Sequence, residues 1–268
     1  MRIAYLSSRP LGEKILEFLI SEQKKKGKNY IDIVCIVTLK EGKLEKSGVD
    51  RWWDDKIPEI AKDNNIPIVS VNSVPKYKPD IIFSVFYFDI IPQKILKSVK
   101  KGATNLHFGY LPNAKYHDKR AQKTYRGRGI LSFAILNDEK WQAVTFHYIT
   151  EKVDLGPIIE YAWNRIGKKT TVWDLQKKSE EKAFKMFKKW LPKIVKAKKM
   201  VKTLPPGNGK YHYYSNNELL KLKRINKSLP KVEKDRIMRA FAFPGREPAY
   251  LKLKINNKTK KIYLRSNR

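Results

Sequence analysis

Several residue types and motifs are scarce in this chain of 268 residues, and each shortage excludes a class of protein. Cysteine occurs once, as Cys35, so no internal disulfide can form and we expect a reducing compartment. Cys35 lies inside the apolar run 31–37, where we interpret it as a buried core thiol. The four histidines are scattered without metal-ligand spacing, so no metal site is predicted.

Two common catalytic and binding motifs are also missing. The sequence has no Gly-x-Ser-x-Gly, which disfavours a serine nucleophile. The first predicted turn lacks Gly-x-Gly-x-x-Gly, which disfavours a dinucleotide site. The longest apolar run, around residues 81–91, is too short to span a bilayer, and the N-terminus has no signal core. We therefore expect a cytoplasmic protein without membrane insertion.

Acidic residues are few relative to basic ones. The chain has 58 Lys and Arg against 26 Asp and Glu, which gives a formal net charge of +32. Such a field attracts anions, including nucleotides, polyglutamylated folate and nucleic acid. Most of the cations are lysines spread along the whole chain, so we favour solvated lysine-rich faces as the explanation. A nucleic acid partner is left open but not favoured.

The apolar pattern predicts an α/β fold. Residues 2–7 are predicted to form a buried strand, followed by a helix ending near residue 26 and a second strand at 31–38. This order is typical of a doubly wound, mostly parallel, Rossmann-like sheet. Residues 39–56, including Trp52, are predicted to be irregular. Further strands are predicted at 66–71, 80–86, 142–150 and 157–165, and further helices at 57–64, 92–100, 130–137 and from Thr170 or Thr171 to 198.

A proline- and glycine-rich stretch at residues 204–209 is the clearest break in the chain. It predicts a catalytic domain at 1–203 and a small α+β C-terminal segment at 204–268. Short helices are predicted at 219–225 and 232–240. They precede a β-hairpin with strands at 249–255 and 261–265, joined by a turn at 256–259.

An amide, an imidazole and a carboxylate follow or edge two predicted strands. Asn105 and His107 are two residues apart, so on a strand they project from the same face, and Asp154 follows a later strand. If the strands are neighbours, the three groups converge where open α/β sheets keep their sites. Such a trio suits acyl transfer to an amine: the imidazole moves a proton, the amide donates to an oxyanion and the carboxylate orients the imidazole.

The stretch 104–159 resembles the catalytic core of the formyltransferases that use 10-formyltetrahydrofolate. The shared features, in order, are Asn105-x-His107, Leu111-Pro112, Tyr125-Arg126-Gly127, a Val144-Thr145-x-His147 strand and Asp154-x-Gly156-Pro157-Ile158. The resemblance implies that Asn105, His107 and Asp154 are the catalytic trio. It also implies that the strand-to-helix turn near residue 86 cradles the pterin ring and that the loop at 150–154 closes over it. The implied folate contacts are Phe86, Tyr87, Phe88, Ile90, Ile91, Thr150 and Glu151.

The sequence departs from this family after the Asn-x-His strand. The usual small hydroxyl residue two positions after the histidine is Gly109, and a basic insertion at 113–124 separates Leu-Pro from Tyr-Arg-Gly. We expect the insertion beside the site, either as a clamp on acceptor phosphates or as a solvated loop. His147 is interpreted as structural. The candidate acceptor contacts are Ser8, Arg9, Tyr110, Lys115, Arg126 and Arg128.

The short C-terminal segment resembles that of the sugar N-formyltransferases. The expected reaction moves a formyl group from 10-formyltetrahydrofolate to the amine of a nucleotide-linked amino-sugar. The alternatives are a methionyl-tRNA formyltransferase of reduced length, a glycinamide ribonucleotide formyltransferase, or a non-catalytic, nucleic-acid-binding protein of this fold. Sugar-acting members are often dimers, so a homodimer is left open.

Overall fold

The structure, a computed structural model, describes residues 1–38, 53–255 and 258–264. Most of the segment predicted to be irregular at 39–56, including Trp52, lies outside these ranges, as do part of the predicted hairpin turn and Arg265. The strands of the described chain are β1 (Arg2–Ser7), β2 (Asp32–Val37), β3 (Ile81–Val85), β4 (Ala103–His107), β5 (Arg126–Gly127), β6 (Trp141–Tyr148), β7 (Ile158–Arg165), β8 (Tyr213–Tyr214), β9 (Tyr250–Ile255) and β10 (Lys258–Tyr263).

The helices lie between and after these strands. In chain order they are α1 (Arg9–Lys26), α2 (Ile57–Asp63), a 3₁₀ helix (Val71–Tyr77), α3 (Gln93–Leu96), α4 (Ile130–Leu136), α5 (Val172–Lys196), α6 (Asn216–Lys221) and α7 (Lys231–Ala240). None of the helices within the described ranges is both long and apolar enough to cross a membrane.

Six strands form the central sheet in the order β2-β1-β3-β4-β6-β7. The first four are parallel, and β6 runs antiparallel to both β4 and β7. The prediction of a mostly parallel, Rossmann-like sheet is confirmed. Because β4 is an interior strand, the residues at its carboxyl end are held from both sides.

Both faces of the sheet are covered, as the apolar strands require. In β1, Ile3 and Tyr5 belong to the buried cluster that includes α1 and α5. Ala4 and Leu6 point to the other face, where the 3₁₀ helix and α3 pack. The two large helices are amphipathic, and α5 begins at a capping box in which Thr171 and Asp174 bond each other's backbone N–H groups.

Two elements differ from the sequence prediction. No strand is present at 66–71; Ile68 makes a single bridge to Ile36, and a 3₁₀ helix begins at Val71. Pro67 has no N–H to donate, which limits the ladder there. The helix predicted at 92–100 is only the four residues of α3, and the predicted helix 219–225 is shifted to Asn216–Lys221.

The C-terminal segment shares its core with the sheet. Tyr214, Ile225 and Phe241 belong to the same buried cluster as β1 and β3. Leu204 and Ile158 exchange backbone hydrogen bonds of 2.8 and 2.9 Å across the predicted boundary. β9 and β10 form the expected hairpin, with β10 beginning at Lys258. The division into 1–203 and 204–268 stays a prediction.

Candidate active site

Two of the three predicted catalytic side chains are placed by β4. Asn105 lies opposite His147 of β6, and His107 lies opposite Thr145. Directly opposed residues share a face of the sheet, so all four side chains lie on one side. Leu106 and Phe146 take the other side and pack in the core with α5.

The imidazole of His107 is held by a backbone carbonyl. Its Nε2 lies 2.6 Å from the Tyr125 oxygen, and only 7% of the side chain is exposed. A carbonyl can only accept, so Nε2 carries the proton and donates it. The lone pair of the neutral ring is therefore on Nδ1, which is the atom available to act as a base.

Asp154 completes the cluster from a strained position. Its Oδ1 lies 3.6 Å from His107 Nδ1, and its Oδ2 accepts the Gly127 N–H over 2.9 Å. Its φ of +54° is unusual for a residue other than glycine. The carboxylate therefore lies beside the basic nitrogen of His107, where it stabilises the ring once Nδ1 is protonated.

Asn105 is oriented by a second histidine. His147 Nδ1–H donates to the Tyr148 carbonyl over 2.9 Å, which leaves Nε2 as an acceptor for the Asn105 amide nitrogen at 3.3 Å. Burial lowers the pKa of His147 to about 4, so the ring stays neutral at ordinary pH and keeps accepting. The carboxamide nitrogen is thus fixed toward His147, and its second hydrogen remains for a substrate oxygen.

Gly109 has a structural reason to lack a side chain. A Cβ at this position would lie 2.6 Å from the Tyr125 oxygen and 3.0 Å from His107 Nε2. The Tyr125 carbonyl thus occupies the space that a hydroxyl side chain at this position would use. Gly109 therefore leaves room for the Tyr125 carbonyl that holds His107.

A group of cationic and aromatic side chains, called the arginine group, is centred on Arg9 at the start of α1. Arg9 is 92% buried, has a φ of +70°, and lies over the rings of Trp53, Phe86 and Phe88 at 5.2, 5.3 and 4.4 Å. Among the described residues, no hydrogen-bond partner is present for its Nε. Its guanidinium is charged at neutral pH, because the pKa is lowered only to about 9.

Arg128 and Arg246 also belong to the arginine group, since their charges act on Arg9. Burial is the largest cause of the lowered Arg9 pKa, and repulsion from Arg246 and Arg128 adds to it, while Glu180 opposes it. Arg128 donates to the Phe88 carbonyl over 3.2 Å, close to Arg9. Arg246 comes from the C-terminal segment. The arginine group therefore concentrates positive charge around Arg9, and its member Arg128 follows Gly127, whose N–H bonds Asp154.

The predicted folate contacts fall into two groups. In the turn after β3, Phe86 packs edge-on against Phe108 at 4.9 Å, Ile91 is buried and Ile90 is 77% exposed. Thr150 and Glu151 instead line a cavity of about 440 Å³ between α3 and the loop after β6. The other lining residues are Gln93, Leu96, Lys97, Ile149 and Lys152. The cavity and the turn both adjoin α3, and the assignment of their residues to the folate stays a prediction.

Of the remaining candidate acceptor contacts, the side chains of Ser8, Tyr110 and Arg126 are hydrogen-bonded within the protein, and that of Lys115 is exposed. Ser8 donates to the Phe86 carbonyl over 2.5 Å, and Tyr110 is 2% exposed with its hydroxyl accepting the Asp118 N–H. Arg126 donates to the Val153 and Tyr211 carbonyls. The Lys115 side chain is exposed, and the Lys115 N–H donates to Asn113. Their assignment to the acceptor stays a prediction.

The insertion at 113–124 packs over the edge strand β7. Tyr116, Asp118 and Arg120 line a second cavity of about 290 Å³ with Tyr161 and Trp163. These strand residues are on the catalytic side of the sheet, since Tyr161 opposes Thr145. The insertion therefore covers the part of that face beyond β6.

Sequence reasoning did not select several residues that the structure places at the site. Tyr125 acts through its backbone carbonyl, which no side-chain pattern reveals. Arg246 and Trp53 are distant in sequence from Arg9 and meet it only in the fold. Gln93 and Lys97 line the same cavity as Thr150 and Glu151. Their position just after the turn implied to hold the pterin is the one sequence feature that could have pointed to them. Within residues 1–38, 53–255 and 258–264, no three His, Cys, Asp or Glu side chains are grouped to hold a metal ion.

Comparison with known proteins identifies the family. The model of the family described as formyl transferase matches residues 1–191, which is most of the chain. The chain belongs to the formyltransferase family. The predicted resemblance is confirmed, and Asn105, His107 and Asp154 lie within the matched residues, whereas Arg246 lies beyond them.

The chain is also similar to individual proteins, in sequence and in structure. The bifunctional polymyxin resistance protein ArnA of Wigglesworthia glossinidia brevipalpis is 36% identical over 143 residues, which are 53% of this chain and 20% of that protein. The chain thus spans about a fifth of the length of that curated relative. A 4-N formyltransferase from Francisella tularensis has a TM-score of 0.71 at 18% identity, covering 100% of this chain and 98% of the other.

A third relative was solved with ligands. The N-formyltransferase from Helicobacter canadensis, in complex with folinic acid and dTDP-3-aminofucose, has a TM-score of 0.70 at 22% identity. The match covers 96% of this chain and 85% of that one. At these identities the two structural likenesses show a shared fold along nearly the whole chain, including the C-terminal segment.

Proposed function

We propose that this enzyme moves the formyl group of 10-formyltetrahydrofolate to the primary amine of a nucleotide-linked amino-sugar. The observation that carries the proposal is the cluster of Asn105, His107 and Asp154 at the end of β4, within a formyltransferase chain. The folate supplies the formyl group as an activated amide, and the side chains of this cluster supply the proton transfer and the electrostatic stabilisation.

Each residue of the trio has one task. Asn105 donates its second amide hydrogen to the oxygen that becomes negative when the acceptor nitrogen bonds to the formyl carbon. His107 takes the proton lost by that nitrogen at Nδ1, and Asp154 stabilises the resulting imidazolium. His107 then gives the proton to the folate nitrogen as its bond to the formyl carbon breaks. The products are a formamide and tetrahydrofolate.

The arginine group supports an anionic acceptor. Arg9, Arg128 and Arg246 carry three positive charges that act on one another, and Arg128 follows Gly127, which bonds Asp154. A buried guanidinium whose Nε lacks a partner among the described residues is stabilised by an anion. A diphosphate linking a nucleoside to a sugar carries the negative charge that such a group of arginines binds. The two ligands of the Helicobacter canadensis protein are a folate, folinic acid, and a nucleotide-linked amino-sugar, dTDP-3-aminofucose.

Calorimetric titration tests the proposal. The purified protein is titrated with a non-reactive folate analogue, and separately with a panel of nucleotides and nucleotide-linked amino-sugars. We expect saturable folate binding and one nucleotide-linked amino-sugar that binds more tightly than its parent nucleotide. Failure to bind the folate, together with only salt-sensitive binding to nucleic acid, would contradict the proposal.

A further inference from the structure

The C-terminal segment reaches the catalytic cluster through a pair of two-residue strands. Strand β8 (Tyr213–Tyr214) pairs in parallel with β5 (Arg126–Gly127), and the Arg128 N–H donates to the Tyr214 carbonyl over 2.9 Å. Gly127 has a φ of +98°, and a Cβ there would lie 2.2 Å from the Tyr214 oxygen. Only glycine permits this close approach of the two backbones.

The supports of both His107 and Asp154 lie on this one stretch. The Tyr125 carbonyl accepts the Nε2–H of His107 over 2.6 Å. Two residues later, the Gly127 N–H donates to Asp154 Oδ2 over 2.9 Å. Residues 125–127 therefore set the position of the imidazole and of the carboxylate together, through backbone groups.

Arg126, between these two supports, joins three parts of the chain. Its Nε and Nη2 donate to the Val153 carbonyl at 3.1 and 2.7 Å, and its Nη1 donates to the Tyr211 carbonyl at 3.2 Å. Val153 precedes Asp154, whose left-handed backbone costs on the order of 1 kcal/mol and persists only when its surroundings hold it. Tyr211 leads directly into β8.

The Tyr125 carbonyl is itself firmly held. The Tyr125 N–H donates to the Tyr110 carbonyl over 2.8 Å, and its hydroxyl donates to Glu139 over 2.9 Å. Its ring stacks on Tyr214 of β8 with centroids 5.3 Å apart and planes at 18°. The carbonyl cannot turn away from His107 without disturbing the contact with β8.

We infer that β8 is a positioning element for catalysis: by holding residues 125–127, it fixes the Nε2–H tautomer of His107 and the orientation of Asp154. The inference rests on the proposed function for the roles of those two residues. It makes the chemistry depend on residues beyond the predicted catalytic domain, although β8 does not itself touch the reacting atoms.

The test is Gly127→Ala, which forces β5 and β8 apart. We expect kcat to fall roughly 100-fold, as small misplacements of catalytic groups do, with the KM for the folate unchanged. Gly27→Ala is the matched control, because Gly27 also has a positive φ of +80° but a Cβ there meets nothing within 4 Å. The control is expected to keep the wild-type kcat.

Nitrogen NMR of the imidazoles separates positioning from a general loss of structure. We expect His107 to show the single Nε2–H tautomer in the wild type and in Gly27→Ala, and a mixture of tautomers in Gly127→Ala. A wild-type kcat and a single tautomer in Gly127→Ala would overturn the inference. The tautomer comparison holds even if the wild type transfers no formyl group, so failure of the proposed function is distinguishable.

A milder variant decides the matter if Gly127→Ala does not fold. Arg126→Ala removes the bonds to the Val153 and Tyr211 carbonyls from a half-buried side chain. We expect a fall in kcat that Arg126→Lys partly restores, since a lysine can still donate to one carbonyl. An unchanged kcat in Arg126→Ala would overturn the inference.

Discussion

The two halves of the candidate site are built in different ways. Asn105 and His107 stand on β4, an interior strand bonded on both sides. Asp154 and the turn at 125–128 lie outside the central sheet. The turn donates a hydrogen bond to Asp154 and pairs with β8 of the C-terminal segment. A strand places reacting side chains by its alternation alone, whereas the orientation of those side chains here depends on backbone groups from distant parts of the chain.

The largest expected effects are on the half of the site carried by the strand. His107→Ala removes the base and should lower kcat by about 10²–10⁴-fold. Asn105→Ala removes the oxyanion donor and should lower it by about 10²–10³-fold. The measurement is initial rate of formyl transfer, with His212→Ala as the control because that histidine is exposed and pairs with Glu218. Wild-type rates in either variant would contradict these roles.

Arg9 and Arg246 of the arginine group, which lie outside both halves, should affect binding of the acceptor. Arg246→Ala removes a positive charge that repels Arg9 and that, under the proposed function, meets an anionic acceptor. We expect the KM for the acceptor to rise about 10-fold or more, as for loss of a charge-assisted contact, with the KM for the folate unchanged. The control is Arg120→Ala, since Arg120 is paired with Asp118 and lies over Trp163. An equal rise in both variants would contradict a specific role for Arg246.

The buried histidine that orients Asn105 should make stability depend on pH. The pKa of His147 falls from 6.5 in the unfolded chain to about 4 in the folded protein, mainly through burial, although Asp154 raises it and His107 lowers it further. A group with a depressed folded pKa contributes stability above pH 6.5, and this is lost as the pH falls toward 4. The full shift corresponds to about 3 kcal/mol.

Denaturant unfolding at pH 7 and at pH 4 measures the contribution of His147 to the free energy of unfolding. The wild type should lose more stability between the two values than His147→Gln, which has no proton to bind. His212→Gln is the exposed control and should behave as the wild type. If His147→Gln keeps the wild-type pH dependence, His147 is not buried as a neutral ring. Its role as the acceptor that orients the Asn105 amide would then be contradicted.

The smallest expected effect lies outside both halves. Thr171→Ala removes the hydroxyl that accepts the Asp174 N–H and starts α5 behind the sheet. We expect a loss of about 1 kcal/mol in unfolding free energy and an unchanged kcat. A clear drop in kcat would show that the sheet transmits small changes in its packing to Asn105 and His107, which would weaken the contrast between the two halves.

The sheet and its catalytic strand were predictable from local pattern. The apolar runs of β1, β3 and β6 and the spacing of Asn105 and His107 are each visible within a few residues of sequence. The strand predicted at 66–71 was wrong because Pro67 interrupts the ladder after one bridge. The long helix was predicted to begin at Thr170 or Thr171, and the structure has its capping box at Thr171.

The supports of the site were not predictable in the same way. The groups that support His107 and Asp154 are the backbone carbonyl of Tyr125 and the backbone N–H of Gly127. Almost every residue has such groups, so only the fold shows which of them meet the site. Arg246 lies far along the chain from Arg9. Arg126 was predicted to meet the acceptor, and the structure shows its guanidinium bonded to two carbonyls. Such contacts depend on three-dimensional placement, which periodicity and spacing do not encode.

The central claim is that Asn105, His107 and Asp154 carry out formyl transfer to an amine. The most direct test follows a ¹³C-labelled formyl group by NMR, from 10-formyltetrahydrofolate to a panel of nucleotide-linked amino-sugars, in the wild type and in His107→Ala. The account predicts a formamide signal on at least one acceptor with the wild type and its near absence with His107→Ala. Transfer at equal rates by both proteins, or no transfer to any acceptor that binds, would contradict it.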